Sequence, residues 1–323
     1  MSYALFWGAV AAAIAVAGGY PLISFLRERK LGKAISTDGP ESHLSKAGTP
    51  TMGGLLFVGV AIAVSLVAAV PKDADALLPI GVLAVMGAIG IYDDLGTLID
   101  REKREAHDRA VMILKLIGFA VVGGVAAWLL YDRIDAPRML VPGGDHYDIG
   151  VVYIIVAICV IVASTAALGV TDGLDMLAGG TTAVAFGAYG AIAVMQNQTA
   201  VATFCFVMTG ALAGFLWHNA YPARLFMGDA GSLPLGAALG VVALMTGWWL
   251  LLPLIGIVFV VEALSVAIQI GYFRMSGGKR IFRMAPLHHH FEKLGYPETH
   301  TTVRMIVVTI IAALVGVGLA ALD

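Results

Sequence analysis

Charge is scarce in this chain of 323 residues. Only 13% are Asp, Glu, Lys or Arg, where an ordinary soluble domain carries about 25%. Apolar residues take their place and reach 59%, against about 45–50% in such a domain. A water-soluble fold cannot hide that much apolar surface. The shortage of charge therefore excludes a soluble enzyme, a disordered chain and a coiled coil, and leaves a multi-spanning membrane protein. Cysteine is nearly absent. Cys159 and Cys205 both sit inside apolar runs, which excludes a disulfide framework or cysteine metal site and reads as small core side chains. Neither sign of charge dominates: 20 basic residues face 22 acidic ones, so the footprint of a nucleic-acid partner is missing. No positive charge precedes the first apolar run, Tyr3 to about Leu26; Arg27, Arg29 and Lys30 follow it. That order argues against a cleaved signal peptide and reads as a retained span with its N-terminus outside.

Long apolar runs are what the chain does have. A helix needs about 20 residues to cross a bilayer core of about 30 Å. The runs predict ten spans, near 3–26, 52–70, 77–92, 111–131, 151–168, 178–195, 199–216, 232–247, 251–273 and 303–322. Two stretches of almost unbroken apolar sequence, 178–216 and 232–273, are each about 60 Å long as helices, enough for two crossings. Gln196-Asn197-Gln198 supplies a polar turn in the first, and Trp248-Trp249 with Pro253 marks the break in the second. Ten is even, so both termini share a side. Of the 20 Lys and Arg, all but Lys72, Arg133 and Arg138 fall on loops after odd-numbered spans or the helix ends beside them. That bias puts the odd-numbered loops in the cytoplasm and both termini outside. The expectation is an all-α polytopic membrane protein of about ten transmembrane helices, one integral membrane domain over residues 1–323. In the longest outer loop, about 132–150, Gly143-Gly144 between β-prone stretches predicts a small hairpin.

Polar residues gather rather than scatter. His43 to Gly54, Tyr92 to Asp94, Thr171 to Asp175, Asn219 to Ser232 and Pro286 to Glu292 all fall on odd-numbered loops or the adjoining helix ends. Acidic and His residues at membrane depth are costly and are functional suspects. Five clusters on one face predict a cytoplasmic site built from many loops.

Each cluster has a chemical reading and a plain one. Adjacent Asp93 and Asp94 repel unless a cation intervenes, and oxygen ligands beside an anionic substrate suit Mg2+; a solvated helix end fits the pair equally well. Asp172 and Asp175 share a face if helical, although a turn with a capping Asp is the simpler reading. Phe226-Met227-Gly228-Asp229-Ala230-Gly231-Ser232 opens a span. Its glycines permit close backbone approach, its helix N-terminus favours phosphate, and Asp229 can hold a bridging cation. A plain N-cap also fits. His288-His289-His290 do not share a helix face, which weakens a three-ligand zinc site, but one can hold phosphate or shuttle a proton. Lys46 precedes a stiff, glycine-rich turn able to aim it at a phosphate; a positive-inside lysine is the alternative. Carboxylates, basic groups and glycine-rich helix starts together suggest phosphoryl transfer, with a lipid phosphate as one substrate.

These motifs resemble those of the phospho-N-acetylmuramoyl-pentapeptide transferase family, within the polyprenyl-phosphate N-acetylhexosamine-1-phosphate transferase superfamily. The resemblance spans nearly the whole chain. It is carried by Asp38-Gly39-Pro40, His43, Lys46 through Gly54, Asp93-Asp94, Asp172-Gly173-Leu174-Asp175, Asn219 through Gly236, Glu262 to Gln269, Arg280-Ile281-Phe282 and Met284 through Glu292. Pro286-Leu287-His288-His289-His290-Phe291-Glu292 is the most specific string. The resemblance implies a multi-pass enzyme of the bacterial cytoplasmic (inner) membrane in peptidoglycan biosynthesis. It implies that UDP-MurNAc-pentapeptide and undecaprenyl phosphate give lipid I and UMP, with Mg2+ as cofactor. By matching position, Asp229 would bind Mg2+, and Asp93, Asp94 and His288 would be catalytic. Lys46, Asp172, Asp175, Asn219, Phe226 and Gln269, with His289 and His290, would bind the substrate; Phe226 would stack on uracil and Gln269 would hydrogen-bond it. Direct displacement and a two-step aspartyl-phosphate route both remain open.

Some positions depart from the family pattern. Thr97 stands where the family has Lys, Gly169 where it has Asn, and Met176 where it has Gly. The segment Asp100 to Lys115 also differs, and Arg101, Lys103 or Arg104 are candidates to restore the charge missing at Thr97. These departures bear on the nucleotide pocket more than on the metal centre. A sister transferase using another UDP-HexNAc is the first alternative. A transporter or non-catalytic scaffold is the second, disfavoured because the charges sit at one face and no repeat is visible. Lateral contacts between spans are compatible with a homodimer.

Overall fold

The computed structural model describes residues 1–29, 48–96, 101–132, 138–144 and 146–322. His43, Lys46 and Thr97 lie outside the described residues. The architecture is α-helical: α1 Ser2–Glu28, α2 Gly54–Ala68, α3 Leu77–Leu95, α4 Arg101–Asp132, α5 Val152–Thr171, α6 Leu177–Met195, α7 Thr199–Asn219, α8 Asp229–Met245, α9 Leu252–Ile255, α10 Ile257–Met275, α11 Leu287–Lys293 and α12 Glu298–Ala320. Eight of the helical segments are long and apolar enough to cross a membrane; α2 and α8 are shorter apolar helices. Helices are what such sequences must form, because a lipid-exposed backbone has to satisfy its own N–H and C=O groups.

The packing is layered around α8. Every residue of α8 from Ala230 to Met245 is buried, as expected of a helix that is apolar all round. It is clasped by α3 and α5. A Cβ on Gly236 would lie 2.5 Å from the Ser164 carbonyl oxygen on α5, and one on Gly240 would lie 3.1 Å from the Ile161 Cα. Small residues four apart thus bring two backbones together, the usual device where the surrounding lipid is as apolar as the helices. The outer helices turn large apolar side chains outward. On α12 these include Val303, Val307, Ile311 and Leu314, a one-sided stripe that only lipid or another apolar partner can cover.

Several local expectations hold. The hairpin forms, with β1 Arg138–Leu140 antiparallel to β2 His146–Asp148 and Met139 opposite Tyr147. It docks on the end of α8, where Leu140 N–H donates to the Gly247 carbonyl. The polar turn at 196–198 separates α6 from α7, and the Gln196 amide donates to the Thr246 carbonyl at 2.8 Å.

Others need correction. At the break after α8 Trp248 is buried, and Gly247, at φ 74, makes the turn. The span expected near 251–273 is broken at Gly256 into the short α9 and the long α10. The basic loop before the last span contains a helix of its own, α11. Cys205 is buried, but Cys159 faces outward from α5, because a span that packs on one side only turns part of its apolar surface to lipid.

Candidate active site

The start of α8 is held by backbone geometry and a carboxylate. Gly228 precedes it at φ 70, a conformation that glycine adopts without strain. Asp94, buried near the end of α3, accepts hydrogen bonds from the backbone N–H groups of Asp229 at 3.1 Å and Ala230 at 3.0 Å. A carboxylate there satisfies two of the helix's orphan donors and faces the positive end of its dipole. Small residues make the approach possible. A Cβ on Gly90 would lie 2.0 Å from the Asp229 carbonyl oxygen, and one on Gly228 would lie 2.3 Å from Asp94 Oδ2.

The neighbouring carboxylate points elsewhere. Lys115 Nζ, on α4, donates to Asp93 Oδ2 at 2.6 Å and also to Asp229 Oδ2. The three side chains are a quarter to a third exposed, shielded yet reachable. Adjacent Asp93 and Asp94 are therefore not a solvated helix end: one braces α8 and the other faces an ammonium shared with Asp229. Lys115 was the residue sequence reasoning missed. The charge count treated it as a positive-inside lysine at a helix end. The available signal was a lysine enclosed by apolar residues, Val111–Leu114 before it and Leu116-Ile117 after it, where an ionisable group at membrane depth calls for a partner.

A second cluster forms at α11. His288 is the second residue of that short helix, and both it and Glu262 on α10 are buried. Its backbone N–H donates to Glu262 Oε1 and Oε2 at 3.1 and 3.3 Å, and its Nδ1 lies 3.0 Å from Oε2. His288 Nε2 is buried and has no hydrogen-bond partner among the described residues. The other imidazoles have partners of their own, although the His289 ring stays in edge contact with the His288 ring, centroids 4.1 Å apart. His289 Nδ1 contacts Glu292 Oε2 at 2.7 Å, and His290 Nδ1 accepts from the Arg283 backbone N–H at 3.0 Å. Among the described residues no three metal-ligating side chains converge as a metal-ion cluster.

The remaining candidates build the scaffold between the clusters. Asp172 is half-buried in the turn after α5. Asp175 is buried; its carboxylate accepts from the Ala223 N–H at 3.0 Å, its N–H donates to Glu298, and its carbonyl accepts from Thr302. Asn219 accepts from the Met176 N–H and donates to the Leu225 carbonyl, both at 2.8 Å. The Gln269 amide is engaged by the backbone of Ile281 and Phe282. Phe226 is half-buried; its N–H donates to the Pro50 carbonyl and its carbonyl accepts from Gly53. The loop from Ala220 to Gly228 thereby joins the Asp175 turn to the start of α8.

The sequence matches Glycosyl transferase family 4 over residues 76–247 and Phospho-N-acetylmuramoyl-pentapeptide-transferase signature 1 over residues 46–58. A Phospho-N-acetylmuramoyl-pentapeptide-transferase of Chloroflexus aurantiacus is 43% identical, covering 99% of this chain and 90% of its own length. The protein of that name from Moorella thermoacetica is 42% identical over 96% of each chain. One from Geobacillus thermodenitrificans is 39% identical over 91% of each. The chain belongs to the phospho-N-acetylmuramoyl-pentapeptide transferase family. Part of the family signature has a visible structural use. Within it, Gly53 and Gly54 donate backbone hydrogen bonds to Phe226 and Met227, and a Cβ on Gly54 would lie 2.3 Å from the Ala230 backbone. The signature segment is thus seated against the first turn of α8, beside Asp229.

Proposed function

We propose that this transferase moves phospho-MurNAc-pentapeptide from its UDP donor to undecaprenyl phosphate, releasing UMP and forming lipid I. It does so at the cytoplasmic face of the bacterial inner membrane, with ten spans and both termini outside. The observation that carries the reading is Lys115 bridging Asp93 and Asp229 at the first turn of α8. A lysine, carboxylates and a helix N-terminus at one point are suited to a diphosphate.

The donor set fits a divalent cation: clustered carboxylate oxygens with no soft ligand suit Mg2+. Asp229 and Asp93 would hold it, and once bound it would neutralise charge on the diphosphate. The remaining steps belong to the chain. Asp94 is committed to the backbone of α8, so Asp93 is the carboxylate that meets the attacking lipid phosphate. Attack forms a bond from a lipid phosphate oxygen to the sugar-bearing phosphorus and breaks that phosphorus's bond to the oxygen that leaves with UMP. Lys115 offsets the charge that gathers there. His288 Nε2 faces the turn that carries Asp172, on the donor side.

UMP release by detergent-purified protein with undecaprenyl phosphate tests this. Release from UDP-MurNAc-pentapeptide but not UDP-GlcNAc, lost in EDTA, is expected. Release from UDP-GlcNAc alone would move the chain to a sister specificity. Release from neither would overturn the assignment.

A further inference from the structure

We infer that Glu262 is a positioning residue for His288: its carboxylate fixes the imidazole as the Nδ1–H tautomer, so that Nε2 is the nitrogen offered to substrate. The inference rests on the reading that places His288 at the donor site, and deepens it.

Four observations converge. A carboxylate only accepts hydrogen bonds, so the 3.0 Å contact between Glu262 Oε2 and His288 Nδ1 requires the proton on Nδ1. The same carboxylate accepts the His288 backbone N–H with both oxygens. Ring and main chain are thus fixed by one group, at the first turn of α11. Both residues are buried, Glu262 at 0% and His288 at 1% exposure. A carboxylate so deep is costly unless hydrogen-bonded, and among the described residues His288 supplies the donors that the Glu262 carboxylate accepts. Finally, Nε2 is the ring nitrogen that no group among the described residues satisfies: it is buried and lies against Gly173, where an added Cβ would fall 2.1 Å from it. His289 also sets its Nδ1 against a carboxylate, that of Glu292, and His290 takes the Arg283 N–H on its Nδ1; what sets His288 apart is that ring, main chain and carboxylate are all tied together and buried.

A carboxylate that orients a metal-binding histidine through its far nitrogen typically changes affinity or activity about 10–100-fold, and a loss of at least that order is expected for a histidine that meets substrate. In the full-length protein, Glu262→Gln keeps the size of the side chain and removes its charge. The expected result is a kcat lowered about 10–100-fold with the KM for the UDP donor within about twofold. On a His288→Ala background, Glu262→Gln should cost no further activity. Imidazole 15N signals of the purified protein should show a Nδ1-protonated ring that is lost in His288→Ala and becomes a tautomer mixture in Glu262→Gln. Wild-type kcat in Glu262→Gln, with or without a lowered melting temperature, would overturn the inference, as would losses that add in the double variant. If His288→Ala leaves UMP release intact, the donor-site reading fails instead. The tautomer comparison then still decides the role of Glu262, and an unchanged 15N pattern in Glu262→Gln rejects it.

Discussion

Lys115 and Asp229 are hydrogen-bonded across 114 residues of sequence, and the same ammonium holds Asp93. One cation from α4 thus stands among carboxylates from α3 and α8. Without it the carboxylates would repel one another at the mouth of the site.

Replacing that ammonium should weaken catalysis and strengthen metal binding. On the proposed mechanism, Lys115→Met removes the charge that offsets the leaving phosphate, and losing one such group typically costs about 100–1,000-fold in kcat. It also removes the competitor for the carboxylates, so half-saturation by Mg2+ should fall to lower concentration. A Mg2+ titration of UMP release checks both. An unchanged kcat would show that Lys115 only neutralises the resting site.

Asp229→Asn should abolish turnover at millimolar Mg2+ while the fold survives. The substitution keeps the shape of the first residue of α8, and the Asp229 backbone N–H still donates to Asp94. UMP release and a thermal melt, read side by side, test this. Full Mg2+-dependent activity in the variant would disprove Asp229 as a metal ligand.

Asp93 and Asp94 are adjacent but should fail differently. Asp94→Ala deprives two backbone donors of α8 of their acceptor, a capping loss of about 0.5–2 kcal/mol, and should lower the melting temperature. Asp93→Ala should leave the melting temperature nearly unchanged, because it breaks a partly exposed pair with Lys115, and should still abolish UMP release. Equal melting temperatures would show that Asp94 does not brace α8.

Gly173→Ala places a methyl group where the His288 ring lies. The ring is held by Glu262 and cannot swing away cheaply, so activity should fall and the melting temperature should drop. On a His288→Ala background the clash is gone, and Gly173→Ala should then cost less stability than it does alone. Thermal melts of the four proteins decide it.

Much of this was legible in the sequence because the bilayer leaves few choices. A 59% apolar chain has to form helices long enough to cross, and positive charge bias predicts which ends meet. The polar turn at Gln196-Asn197-Gln198 and the hairpin about Gly143-Gly144 followed from short-range turn chemistry. The motif positions of Asp93, Asp94, Asp229 and His288 were also readable. Their division of labour was not. Adjacent Asp93 and Asp94 look equivalent in one dimension, and which of them braces α8 depends on how α3 crosses that helix. Three consecutive histidines look interchangeable until the fold gives each a different partner, Glu262, Glu292 and the Arg283 N–H. Lys115 passed for a positive-inside residue because its partners are 22 and 114 positions away.

The sequence alone determined the membrane class, most of the long apolar helices and the family, since these depend on composition, local hydropathy and motif. Only the tertiary structure decided that Lys115 joins Asp93 to Asp229, that Asp94 holds the start of α8 and that Glu262 holds His288. Each is a contact between helices far apart in the chain, set by glycine-permitted backbone approach and by the need of buried charge for a partner.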